Sequence, residues 1–281
     1  MNTLNIKNKI ASIVRSVYKL AFIERPLPKH PFGRRIWATK NKYKNLHSLS
    51  LKFKDDLVSI FEEKYGFALN REWWSELALH TQVVIKNEKL NFFHGRLLYS
   101  VLSKYISSQN KEVTIRILET GTARGFSSIC MAKALNDMKC NGIITTIDSI
   151  SHNSEIFWNC IDDHEGPKSR AQLLSNWNEE LNKIIFIQGW TDQILPRLGF
   201  NRINFAFLDA QHTKEAVLKE FYYVSERQIS GDIIVFDDVT DEIFPGVCEA
   251  VRIIEIEQPY KIERIKFSDS RAYAIAIKYD Q

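Results

Sequence analysis

The sequence predicts an open α/β fold, and three observations carry that expectation. From Val113 onward, short apolar runs rich in β-branched residues alternate with helix-like segments. Each run is apolar almost throughout and is followed by polar residues, the pattern of strands buried on both faces of a parallel sheet. The first run stops at an acid, Glu119, and turns through Gly121 and Gly125 ("ETGTARGF") before a helix begins.

In chain order, residues 5–23 place Ile6, Ile10, Ile13, Val14, Val17 and Ala21 at helical spacing with lysines between them. Pro26, Pro28 and Pro31 end any helix there, so 24–50 reads as an irregular basic connection. Helical patterns resume at 51–66, after Asn70 as a cap for "REWWSELALH", and at about 89–107. Trp73, Trp74, Phe92 and Phe93 read as core at this spacing. The polar stretch at 108–112 then separates helical from alternating sequence. The expected organisation is a basic N-terminal arm with an amphipathic helix (1–50), an α-helical cap (51–110) and an α/β core (111–281).

Within the core, strands are expected at 113–118, 143–147, 184–188, 203–208 and 232–236. Helices fall at 126–138, 168–181, 190–197 and 213–228, and again through "CEAVRIIEIE". Two further strands, about 261–267 and 272–278, flank "FSDSRA", which reads as a hairpin and turns the last strand antiparallel. The connection between Ile150 and Lys183 is long for this architecture and reads as a lid or substrate wall around Phe157 and Trp158. Its His152, Asp162, Asp163 and His164 match no ligand spacing and read as solvated loop residues.

Composition narrows the class. A hydrophobic share of 44% with 12% aromatics supports a packed core. No apolar run approaches the ~20 residues a membrane span needs. Arg15 and Lys19 interrupt the apolar N-terminal stretch, so it does not read as a secretory signal. The four cysteines show no ligand spacing and are expected as reduced thiols of a cytoplasmic protein. Residues 1–54 hold thirteen Lys/Arg against the single acid Glu24, while the rest carries 25 basic and 33 acidic groups. Such an arm reads first as lying on the acidic face of its own domain or of a subunit partner, with peripheral contact with an anionic surface as the other use. The amphipathic helix could also bury its face in a homodimer.

A turn at the carboxyl end of a strand needs glycine where φ is positive or where backbone approaches something closely. The helix that follows offers free N–H groups. A dinucleotide fingerprint wants G-x-G-x-x-G. Here Ala123 stands at the middle glycine. The next strand end, "TTIDS", puts Asp148 27 residues after Gly121, where a carboxylate can accept both hydroxyls of a ribose.

Two more strand ends carry acids: Asp209, with His212 three residues on, and the pair Asp237–Asp238. All point toward one crevice in an open α/β sheet. Converging carboxylates repel one another unless a cation intervenes, and oxygen ligands of this kind suit Mg²⁺, Mn²⁺ or Ca²⁺. Helix capping, or pairing with Lys214, is the other use of these acids.

The ordered set, over about residues 90–279, resembles the class I S-adenosylmethionine-dependent methyltransferases. The resemblance implies a Rossmann-like sheet of about seven strands, the last antiparallel, behind an N-terminal α-helical extension. It places Thr120, Gly121, Thr122, Gly125 and Ser127 near the methionine part of the cofactor, with Glu119 near its amino group and Asp209 beside it. Asp148 holds the ribose. Gly189 and Trp190, in "FIQGWTDQILPRL", border the adenine, although many relatives carry an acid at Trp190 and an ordinary wall residue is the other reading.

Within that class, "LDAQHTKEAV", "VFDDV" and "PGVCEAV" resemble bacterial divalent-metal-dependent O-methyltransferases of small molecules and sugars. In that family the fourth strand typically ends D-G-D-H-S-Y-E. Ala210, Gln211 and Thr213 depart from this pattern, while Asp209 and His212 keep it. Catechol O-methyltransferases, which share the metal arrangement, place a lysine at His212. The likeness implies Asp209, Asp237 and Asp238 as ligands of a divalent cation, Mg²⁺ first, and His212 as general base. The expected function is methyl transfer to a hydroxyl of a small molecule or sugar. The alternatives are a nicotinamide-dependent oxidoreductase and a non-catalytic methyltransferase-like binding protein. A nucleic-acid substrate is not expected, because the core is acidic and no N-P-P-Y-like tetrapeptide follows the fourth strand.

Overall fold

The computed structural model describes residues 32–52, 56–86, 90, 92–110, 112–268 and 270–280. The helix expected over 5–23 lies outside them. Seven strands form one sheet: β1 (Ile115–Thr120), β2 (Gly142–Asp148), β3 (Ile184–Gln188), β4 (Phe205–Leu208), β5 (Ile233–Phe236), β6 (Tyr260–Ser268) and β7 (Arg271–Lys278). Their order is β3-β2-β1-β4-β5-β7-β6. β1 to β5 pair in parallel, and β7 enters antiparallel between β5 and β6, as the hairpin sequence predicts. The chain order reverses between β1 and β4, so a crevice opens there beyond the carboxyl ends of the strands.

The central strands β4 and β5 are buried at every residue, whereas β6, at one edge, is buried only at Tyr260 and from Glu263 alternates half-buried and exposed positions. Helices cover both faces. One layer holds α1 (Lys40–Ser50), α3 (Arg71–Thr81), α4 (Phe93–Ser107) and α5 (Phe126–Asp137), and its core includes Leu77, Leu98, Ile129 and Phe207. α2 (Asp56–Tyr65) packs on α4. The opposite layer holds α6 (Lys214–Ser225) and α7 (Pro245–Glu257), packed through Phe221, Val251 and Phe236. The helices before the sheet therefore share one apolar core with it. The polar stretch at 108–112 marks a change of periodicity, not a gap in packing.

Local chemistry sets the helix starts. Asn70 caps α3 by accepting from Trp73 N at 3.0 Å, and Thr213 caps α6 by accepting from Ala216 N at 3.3 Å. Pro245 opens α7, at the position where its missing N–H costs nothing.

Two segments differ from expectation. The connection read as irregular contains α1, capped by Thr39; only Tyr43 on it is buried, too little for a periodic signal. The single helix expected at 168–181 is instead three short turns, at Arg170–Leu173, Ser175–Trp177 and Asn178–Leu181. Breaking the helix lets Leu173 pack with Trp158 in the lid while Leu174 and Trp177 enter the main core.

Candidate active site

The crevice is assembled by the strand register. Thr120, the last residue of β1, lies between Ile147 of β2 and Leu208 of β4, and Leu208 pairs with Phe236 of β5. One further residue of ladder follows on each strand: Gly121 N donates to Ile147 O at 2.9 Å, Asp209 N to Thr120 O at 3.0 Å and Asp237 N to Leu208 O at 3.2 Å. Asp148, Gly121, Asp209 and Asp237 thus leave the sheet side by side on one rim.

The turn after β1 is held from beneath. Glu119 is fully buried, and its carboxylate accepts the hydroxyls of Ser127, Ser128 and Thr146. Burial pushes it up to about 7, and those hydroxyls only partly offset the shift. The Thr122 hydroxyl meets that of Thr146 at 2.5 Å. Thr120 is buried too; its hydroxyl donates to Glu220 at 2.8 Å and accepts from Asp209 N at 3.3 Å. The side chains of Glu119, Thr120, Thr122 and Ser127, residues expected near a cofactor, are thus hydrogen-bonded within the protein, tying the turn to β2 and α6. Gly125 is buried against Leu174 and takes φ +89° at the start of α5. Within the turn, Gly121 and Ala123 are the residues left half-buried.

Asp148 accepts Ala123 N at 2.6 Å and Ile150 N at 2.7 Å, and Arg170 Nη2 lies 3.8 Å from it. A carboxylate offers about four acceptor positions, so two remain for hydroxyls of a ligand. Gly189 N donates to Asp148 O at 2.8 Å, which sets Trp190 beside it with 53% of its surface exposed.

On the other side of Gly121, single atoms of Asp209, His212 and Asp238 lie within 4.8 Å of one another. His212 Nε2 is 3.1 Å from Asp238 Oδ2 and 3.5 Å from Asp209 Oδ1, yet it is buried and makes no aligned hydrogen bond. Its ring stacks on Phe244 at 4.3 Å. Burial pulls the imidazole down, but the two carboxylates outweigh it and raise it to about 10. His212 standing with these carboxylates alone is therefore an imidazolium, not the neutral base expected from sequence.

Asp237, expected as a third ligand, does not join this cluster. It is 5% exposed, and its Oδ1 accepts Asp238 N at 2.6 Å. Burial and the charges of Asp209 and Asp238 push its carboxyl well up.

Arg271, at the start of β7, donates to Asp238 Oδ1 at 2.8 Å and lies 3.8 Å from Asp237. Nothing around "FSDSRA" announces this; Val239 N, bonded to Ala272 O at 2.9 Å, brings the two segments together. Glu220 is the other residue without a sequence signal. It sits beneath the rim, accepts from Thr120 and Thr191, and is pushed up to about 7 by burial. The lid acids are not solvated as expected: Asp162 binds His80 at 2.6 Å and Lys168 at 3.0 Å, and Asp163 is 3% exposed.

Residues 118–239 match the family model described as a methyltransferase domain. The core has the class I methyltransferase fold. Among solved structures, the O-methyltransferase TomG from Streptomyces achromogenes, involved in tomaymycin synthesis and in complex with SAM, is 19% identical with a TM-score of 0.54, over 85% of this chain and 99% of that one. An O-methyltransferase from Bacillus cereus in complex with SAH is 15% identical with a TM-score of 0.53, over 84% and 99%. No curated protein sequence matches the chain. In the methyltransferase fold Gly121, Asp148 and the Asp209–His212–Asp238 cluster share the crevice at which ligands of open α/β sheets bind.

Proposed function

We propose that this chain transfers the methyl group of S-adenosyl-L-methionine to a hydroxyl of a small molecule or sugar unit, with Mg²⁺ held at Asp209 and Asp238. One observation carries the reading: Asp148 and Gly121 stand on one side of Asp209, and His212 and Asp238 on the other, along a single rim.

The residues fit both groups. Half-buried Gly121, spare acceptor capacity on Asp148 and the exposed surface of Trp190 suit a nucleoside. Two carboxylate oxygens within 4.8 Å of each other suit Mg²⁺, which is commonly held by one or two carboxylates with water or substrate completing its shell. When bound, the cation supplies positive charge that lowers the pKa of an acceptor hydroxyl.

Methyl transfer is an in-line displacement. The acceptor oxygen attacks the methyl carbon, the S–CH₃ bond breaks toward sulfur, and S-adenosylhomocysteine and one proton are the other products. Close approach of the two substrates supplies much of the rate. With the charge of Asp209 and Asp238 offset by a cation, His212 would be neutral, and its Nε2, 3.1 Å from Asp238 and 3.5 Å from Asp209, is the atom assigned to take the released proton. Arg271 bound to Asp238, and the hydroxyls beneath the turn, fix these groups before any ligand arrives.

Among the described residues no helix is long and apolar enough to cross a membrane. The four cysteines are free and three are buried, which favours a cytoplasmic protein with reduced thiols.

Binding and transfer test the reading separately. S-adenosylhomocysteine at 100 times its Kd stabilises by ~2.7 kcal/mol and raises the melting temperature. Label from S-[methyl-³H]-adenosylmethionine then appears on hydroxylated acceptors and is reduced by EDTA. A melting-temperature rise with NADH and none with S-adenosylhomocysteine would overturn the proposal in favour of an oxidoreductase.

A further inference from the structure

Between the helical layer and the glycine turn lies a cavity of about 250 Å³. Its wall draws on four distant parts of the chain: Gln82, Lys86 and His94 from the segment around the start of α4, Arg124 from the turn, Asn159 from the lid and Arg271 from the β6–β7 hairpin. Three of these six are permanent cations, and no carboxylate is among the cavity's described lining. Arg271 also touches Asp238, so one wall is a single hydrogen bond from the acid cluster.

Arg124 is the second, independent sign. It is 7% exposed, its Nε donates to Trp158 O at 2.6 Å and its guanidinium lies 4.6 Å over the Phe32 ring, but its buried Nη2 has no hydrogen-bond partner among the described residues. Asp163, the nearby acid, accepts Trp158 N and Asn159 N, both at 2.8 Å, and makes no hydrogen bond to Arg124 among the described residues. Leaving a buried charged donor unpaired is costly. A guanidinium forms its strongest hydrogen bonds to carboxylate and phosphate oxygens. Burial pulls Arg124 down only to about 10, so it keeps its charge at neutral pH. His94, taken down to about 3 by burial and by Arg271, is neutral there and offers a hydrogen bond without adding charge.

We propose that this cavity is the acceptor pocket and that it takes a small hydroxylated acceptor bearing an oxyanion, a carboxylate or phosphate, bound by Arg124 and Arg271. The proposal rests on the methyltransferase reading and narrows its substrate class. The anion fixes the acceptor at one end. Its hydroxyl reaches toward Asp238, the neighbour of Arg271.

The test uses the full chain saturated with S-adenosylhomocysteine, so that the carboxylate of the methyl donor already occupies its own place. Binding of 4-hydroxybenzoate, its neutral amide 4-hydroxybenzamide and inorganic phosphate is then measured by titration calorimetry. The expected result is that the acid binds at least tenfold tighter than the amide and that phosphate competes with it. Arg124→Gln should remove the preference while S-adenosylhomocysteine affinity stays within twofold. Gln82→Glu leaves Arg124 and its bond to Trp158 in place but adds a carboxylate to the wall, and should remove the preference as well. Equal binding of acid and amide, or no anion-dependent binding at all, overturns the proposal. So does a tenfold loss of S-adenosylhomocysteine affinity in folded Arg124→Gln with the preference intact, because Arg124 then serves the methyl donor. S-adenosylhomocysteine binding by the unaltered chain, measured first, reports on the methyltransferase reading by itself.

Discussion

Gly121 packs against the backbone of Asp209: a Cβ at Gly121 would overlap the Asp209 carbonyl oxygen, and the residue sits at φ +87°. The turn that faces the proposed cofactor and the strand end that carries the proposed catalytic acid are thus one packed unit. Glycine is needed here first for the protein's own chain. Gly121→Ala should cost more than the ~0.4–1 kcal/mol scale of ordinary Gly/Ala exchanges. It should also weaken S-adenosylhomocysteine binding by tenfold or more, because the Asp209 tip must move. Gly125→Ala meets only the Leu174 side chain, at 2.7 Å, and should lower the melting temperature less. Thermal denaturation of both variants decides this; a milder Gly121 variant would contradict it.

Glu119 gives a pH signature. Its folded value, about 7, lies above its ordinary 4.5, so the native state holds a proton that the unfolded chain releases between those values. Stability should be fully present below about 4.5 and decline as pH rises through about 7, by up to the order of 3 kcal/mol. Glu220, also at about 7, adds in the same direction. Glu119→Gln should flatten the slope of urea-unfolding stability across this window. An unchanged slope would assign the effect elsewhere.

Trp190 follows Gly189, whose N–H bonds the Asp148 carbonyl, and about half its surface is exposed, which leaves room for the proposed adenine contact. Base–aromatic stacking contributes ~1–3 kcal/mol per base. Trp190→Ala should therefore weaken S-adenosylhomocysteine by roughly five- to 150-fold. Trp190→Phe should keep most of the affinity. Equal affinity for all three proteins would make Trp190 a wall residue only.

His212→Gln should reduce turnover by ~10²–10⁴-fold, the usual scale for a lost general base. S-adenosylhomocysteine affinity should remain within twofold. Parallel loss of both, read by single-turnover kinetics and calorimetry, would make the histidine structural.

The same imidazole reports on the cation. Without it, Asp209 and Asp238 hold the His212 pKa at about 10, so protonation stabilises the fold fully below about 6.5, and this is lost as pH rises through about 10. Mg²⁺ at those carboxylates should bring the apparent value down toward the ordinary one. Proton NMR of the ring with and without Mg²⁺ measures the shift, and Asp238→Asn should lower the value without any metal. No change on adding millimolar Mg²⁺ would place the cation elsewhere.

Much of this was legible in the chain because the signals are local. The alternation of buried strands and helices, the acids at the tips of β1, β2, β4 and β5, and the antiparallel final strand each depend on a dozen residues or fewer. α1 was not legible, because a single buried tyrosine on a lysine-rich segment carries no period. The three cations of the cavity were invisible for a different reason. Lys86, Arg124 and Arg271 look like ordinary surface residues until the turn, the lid and the hairpin meet.

By itself, the sequence determined which strands form, in which direction they run and which polar residues end them, since strand burial and turn chemistry are written in short-range pattern. Tertiary structure alone decided what each of those residues does. Glu119 became a buried strut, Asp237 turned inward, and Arg271 arrived beside Asp238 from 33 positions along the chain. Charge, hydration and partner distance are properties of neighbours in space, and folding is what chooses them.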